Sequence, residues 1–145
     1  MKNNEKKLLN LSIIYSILAA ICGVFYREFT KFHQFTGETT LSVLHTHYFV
    51  LGMLFFLILV LFERNYQLVN KGINKLLIVY QIGLNMTVAL LVVRGVAQVL
   101  ALPLNKGMNA AISGMAGIGH IILGGSIVWL LFMIKKVIVQ EKESK

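Results

Sequence analysis

His45-Thr46-His47 places two imidazoles two residues apart, near the start of an apolar run from about Leu41 to Phe62. A third histidine, His120, lies in another apolar run, with Gly117 three residues before it and Gly124 four residues after it. Arg94 interrupts a third run, and Gln98 follows it at one helical turn. Ionisable groups are costly in hydrocarbon, and where they occur they usually face a bundle interior and perform a task. Imidazole ligates iron, copper and zinc, and a guanidinium pairs with carboxylates through charge-assisted hydrogen bonds. The chemistry these residues offer is therefore metal or haem ligation within a membrane. No catalytic nucleophile or acid–base pair stands out, so an enzyme is not expected.

Four long apolar runs must position these groups, each near the ~20 residues that a spanning helix needs. Of 145 residues, 57% are hydrophobic and only 14% charged, where a soluble domain carries roughly 25%. The expected fold is all-α: a four-helix transmembrane bundle, a single membrane domain over residues 1–145, with helices at about 8–26, 40–62, 76–102 and 110–134. Arg27 to Glu38, with Phe29, Phe32 and Phe35 interleaved, reads as an interfacial amphipathic turn. Gly37-Glu38-Thr39-Thr40 reads as a helix start with a threonine N-cap. Pro103 to Gly107 reads as a turn, and Lys135 to Lys145 as a charged tail.

The net charge of +8 does not imply nucleic acid, because basic residues that flank apolar spans are cytoplasmic anchors facing anionic headgroups. The N-terminus, the second gap and the tail hold Lys2, Lys6, Lys7, Arg64, Lys71, Lys75, Lys135, Lys136, Lys142 and Lys145. The other two gaps hold only Arg27, Lys31 and Lys106. The positive-inside rule then places both termini in the cytoplasm. Lys2, Lys6 and Lys7 followed by Leu8–Ala20 resemble a signal peptide, but the apolar run continues through Phe25 and is long enough to span. Cys22 is the single cysteine, so no intramolecular disulfide and no paired-cysteine metal motif exists.

With that orientation His45, His47, Arg94, Gln98 and His120 all fall in the outer half of the bilayer, His120 roughly 15 Å into its helix, and His33 lies in the outer loop. His45 and Gly52, seven residues apart, share a face. His47 lies about 200° round from His45, on a stripe with Val43, Val50, Leu54 and Ile58 that reads as lipid-facing. The face of His120 carries Ser113, Ala116, Gly117 and Gly124, and Tyr80, Thr87, Arg94 and Gln98 form a polar seam on the third helix. Two histidines on different helices beside glycine-lined space suit the axial ligation of a b-type haem. The expected ligands are His45, with His47 as its alternative, and His120; Arg94 and Gln98 meet the propionates, and Gly52, Gly117 and Gly124 give room.

Electron transfer, haem sensing or haem handling would follow, with the lipid bilayer and a redox partner or second copy as partners. One alternative is a copper or other metal site built from His45, His47 and His120. Another is a non-catalytic accessory or structural subunit of a membrane complex, its histidines bridging helices. A third is a small carrier working as a dimer.

The segments Arg27-Glu28-Phe29-Thr30-Lys31-Phe32, Thr36-Gly37-Glu38-Thr39-Thr40-Leu41, His45 to Met53 and Gly117-Ile118-Gly119-His120 together resemble a family of small four-helix bacterial integral membrane proteins of unassigned function. That resemblance covers nearly the whole chain and implies a multi-pass protein of the bacterial cytoplasmic membrane. The His-x-His…Leu-Gly pattern is also similar to the low-spin haem region of haem–copper oxidase large subunits, where a histidine near the outer end of helix 2 pairs with one on a later helix. Aligned on Leu51-Gly52, this likeness favours His47, whereas the shared face favours His45. Those subunits carry further histidines for a second haem and a copper, and twelve helices. This chain has four histidines, so the resemblance implies at most one low-spin haem and no oxygen reduction.

Overall fold

Backbone amides and carbonyls in hydrocarbon must be paired within the protein, and a helix pairs them within one segment. The structure, a computed structural model, describes residues 3–143, with the side chains of residues 70, 71 and 141–143 left aside. Of the cations that set the expected orientation, the side chains of Lys2, Lys71, Lys142 and Lys145 lie outside the described residues. Four membrane-length helices follow one another: α1 (Asn3–Phe32), α2 (Thr40–Tyr66), α3 (Asn74–Val99) and α4 (Lys106–Glu143). A 3₁₀ turn, Leu68–Lys71, links α2 to α3, and there is no strand among the described residues. The all-α, four-helix expectation holds.

All four helices are long and apolar enough to cross a membrane. Only 22% of the most apolar stretch of α1, and 39% of that of α3, is buried inside the chain. Ile21, Val24, Ile121, Trp129 and Phe132 are each more than half exposed. An apolar surface this extensive calls for hydrocarbon or a partner around it.

The helix ends depart from the expected ones. α1 continues through Arg27 to Phe32, so the first half of the expected loop is helix. Arg27 and Glu28 pair at 3.7 Å on its exposed surface, and the chain leaves the helix at Gln34 with φ 51°. α3 stops at Val99 rather than near 102, where Ala101 takes φ 49° and the Leu102 amide bonds back to the Ala97 carbonyl at 3.0 Å. α4 starts at Lys106 and runs through the expected charged tail to Glu143. Hydropathy marks the stretch that sits in hydrocarbon, while the backbone ladder continues wherever nothing breaks it.

α2 changes its winding three times. Thr39 caps its start, the hydroxyl accepting from the Leu41 amide at 3.3 Å. Thr40–Val43 is 3₁₀, Leu44–His47 is α, Tyr48–Leu54 is π and Phe55–Tyr66 is α again. A π turn shifts carbonyls out of their usual register, and such turns recur at functional sites. Here neighbours take up those carbonyls: the Tyr80 hydroxyl donates to the Leu51 carbonyl, and the Ser12 hydroxyl donates to the Met53 carbonyl at 2.9 Å.

Two glycine contacts set the close packing of α3 on α4. A Cβ on Gly83 would lie 2.7 Å from the Leu123 backbone nitrogen, and one on Gly119 would lie 2.9 Å from the Thr87 hydroxyl. Small residues allow such backbone approach in membranes. α1 packs along α2, with the Tyr15 ring against Gly52 and stacked on Phe56 at 5.5 Å. The start of α2 hangs on α3: Thr39 donates to the Gly95 carbonyl (3.1 Å) and Thr40 to the Leu91 carbonyl (2.8 Å). α2 and α4 thus both lie against α3, and have few contacts with each other.

Candidate histidine-pair site

In the α-helical turn Leu44–His47, a two-residue step rotates a side chain by about 200°. His45 and His47 accordingly leave α2 in opposite directions. His45 packs against α1, its Cβ 3.7 Å from where a Cβ on Gly23 would sit, and its Nδ1 is buried without a hydrogen-bond partner. His47 turns towards α4. Its ring centroid lies 6.4 Å from that of His120, with the planes at 85°.

The two paired imidazoles are held alike. His47 Nδ1 lies 2.8 Å from the Val43 carbonyl, and His120 Nδ1 lies 2.8 Å from the Ala116 carbonyl. A carbonyl only accepts, so each Nδ1 donates its proton there, and the neutral ring keeps a lone pair at Nε2. Anchoring one ring nitrogen so that the other is free is the usual arrangement in metal-binding histidines. Metal–nitrogen bonds to imidazole are ~2.0–2.1 Å, so two rings with centroids 6.4 Å apart are close enough to share one ion.

Space adjoins the pair. A Cβ on Gly117 or Gly124 would meet nothing within 4 Å, so no packing within the chain explains these glycines, unlike Gly83 and Gly119. Arg94 reaches α4 from α3, donating to Ser113 Oγ at 2.6 Å and to Asn109 Oδ1 at 3.3 Å. Ser113 lies seven residues before His120 on one face, ~10 Å along the axis. Among the described residues, Arg94 makes no ion pair, so its charge is held by neutral partners only.

Other expected site residues lie elsewhere. Gln98 is separated in role from Arg94: its Oε1 accepts from the Thr40 amide at 2.9 Å and caps α2. The polar seam on α3 therefore divides, Tyr80 and Gln98 serving α2 and Thr87 and Arg94 serving α4. Gly52 shares the face of His45, but that face meets α1. His33 is exposed at the tip of α1, its Nδ1 bonded to the Phe29 carbonyl at 2.8 Å. Among the described residues, no three His, Cys, Asp or Glu side chains gather where they could hold one metal ion.

Sequence reasoning passed over Asn85, which donates to the Tyr15 hydroxyl (2.9 Å) and accepts from the Tyr48 hydroxyl (3.0 Å), tying α1, α2 and α3 together. The signal was an amide in mid-span, four residues after Gln81.

No curated protein and no solved structure matches the chain, so the local likeness to haem–copper oxidase large subunits finds no support there. One family model matches residues 5–137, nearly the whole chain, and the chain therefore belongs to the protein family of unknown function DUF2871.

Proposed function

We propose that this protein binds one b-type haem between α2 and α4 and serves in electron transfer across the outer half of a bacterial cytoplasmic membrane. The supporting observation is the His47–His120 pair, 6.4 Å apart with each Nδ1 tied to its own helix. Two imidazoles alone under-fill the four-coordinate shell that zinc prefers, whereas a macrocycle supplies the remaining ligands of its iron. In this reading His47, rather than His45, is the partner of His120. When bound, such a group would supply one-electron chemistry, with His47 and His120 as the residues that would hold it. Arg94, steadied by Ser113 and Asn109, pairs with a propionate, and Gly117 and Gly124 leave room for the ring. Haem sensing or handling would use the same residues. A three-histidine copper site has less support, because His45 faces α1.

The test is the reduced-minus-oxidised spectrum and pyridine haemochrome of protein purified from haem-replete cells. The expected result is about one low-spin b-type haem per chain, lost in His47→Ala and His120→Ala and kept in His45→Ala. Folded wild-type protein that takes up no haem, or a haem lost from His45→Ala alone, would overturn this reading.

A further inference from the structure

On the part of α4 beyond His120, α3 and α4 frame a second opening of about 800 Å³. Its walls include Leu76, Val79, Ile122, Trp129, Phe132 and Met133. Ser126, which also borders it, is buried, and its hydroxyl is spent on the Leu123 carbonyl at 2.8 Å. The groove is therefore apolar along its length. Its polarity is concentrated at one end, where Lys75 from the first turn of α3 and Lys136 from α4 line it. Among the described residues, neither lysine makes an ion pair.

Length identifies an occupant. From Ile121 to Lys136 the groove follows α4 for ~22 Å at 1.5 Å per residue. Half of a bilayer with its headgroups measures roughly 20–22 Å. The groove is thus about as long as one leaflet is deep, apolar along its length and cationic at one end, which is the polarity of an anionic phospholipid. A second copy would suit it less well. Copies inserted in the same orientation would bring their lysine ends together at one depth.

We infer that the α3–α4 groove binds an anionic phospholipid of the leaflet on the Lys75–Lys136 side, an acyl chain lying along its apolar walls and the phosphate paired with the two lysines. Basic pockets between spanning helices hold such headgroups. This site is separate from the histidine pair and does not depend on haem.

The full chain would be reconstituted with equal phosphatidylglycerol and phosphatidylcholine, re-extracted, and its retained lipid read by native mass spectrometry. Wild type is expected to retain phosphatidylglycerol ~10-fold or more in excess. Lys75→Gln/Lys136→Gln should bring the two lipids to near parity. Lys6→Gln/Lys135→Gln removes the same charge at the same end but off the groove, and should keep the excess. A Cβ on Gly125 would meet nothing within 4 Å, so Gly125→Leu fills the groove without disturbing the fold. It should lower retention of both lipids with an unchanged thermal midpoint. Equal retention of the two lipids by wild type, an undiminished excess in Lys75→Gln/Lys136→Gln, or an equal loss in the control pair overturns the inference. So does a dimer that Gly125→Leu dissociates, which would assign the groove to a second copy.

Discussion

His45 and His47 stand two residues apart on one helix and meet opposite environments. The seam between α1 and α2 is closed: Tyr15 lies on Gly52, Ser12 bonds the Met53 carbonyl, and His45 is packed between with a buried, unpartnered Nδ1. The side facing α4 is open. There His47 has its Nδ1 anchored, His120 opposite, and glycines with free space beside it. The buried Nδ1 singles out His45, although both residues are half-buried. Ligand chemistry favours His47, because a ligand needs one nitrogen fixed and the other accessible.

The largest expected effect breaks that comparison directly. His47→Ala and His120→Ala should each weaken haem binding by more than ~100-fold, beyond the 10–100-fold typical of lost outer-shell partners, while His45→Ala changes it little. Haem titration of the apoprotein measures this. Equal losses from His45→Ala and His47→Ala would erase the distinction between the two sides of α2.

Next come the glycines, which divide in the same way. Gly83→Leu forces a side chain into the backbone of Leu123, and overpacking of this kind costs about 1–3 kcal/mol or more. A thermal midpoint several degrees lower is expected. Gly117→Leu and Gly124→Leu enter open space, so the midpoint of the apoprotein should hold while haem uptake falls. If Gly117→Leu and Gly124→Leu destabilise as much as Gly83→Leu, the open face is a packing face and the cofactor reading loses its room.

These contrasts mark how far the sequence could be read. Four helices were legible because each apolar run had to satisfy its backbone in hydrocarbon. That His120 meets a histidine of α2 was legible from chain direction. Which neighbour each face met was not. The stripe of His47 with Val50, Leu54 and Ile58 reads as lipid-facing, and those three are indeed exposed, from 43% to 54%. Only the lean of His120 across from α4 distinguishes His47 from them. The π stretch Tyr48–Leu54 was likewise hidden, since no proline or glycine pair announces it. It is held in place by Tyr80 and Ser12, which are distant in sequence. The helix extensions through Phe32 and Glu143 escaped because polar residues continue a helix without adding hydropathy.

Arg94 provides an intermediate effect. A cation near the iron disfavours the ferric form, so Arg94→Gln should lower the haem's midpoint potential and weaken binding by about 10- to 100-fold, as expected for the ~1.5–3 kcal/mol of a hydrogen bond to a charged group. Arg94→Lys should preserve the potential, though not a bidentate contact. Spectroelectrochemical titration separates this from a merely anchoring arginine, for which both substitutions would leave the potential in place.

The smallest expected effect tests the closed side. His45 Nδ1 is buried without a partner, and an unmet polar group costs about 1–3 kcal/mol. Replacing it by an apolar side chain of similar reach removes that cost and gives up little packing. His45→Leu should therefore leave the thermal midpoint unchanged or raise it by a few degrees, with haem content intact. A clear fall in the midpoint of the haem-loaded protein, absent from the apoprotein, would show that His45 holds the ligand after all, and would reverse the assignment of the two histidines.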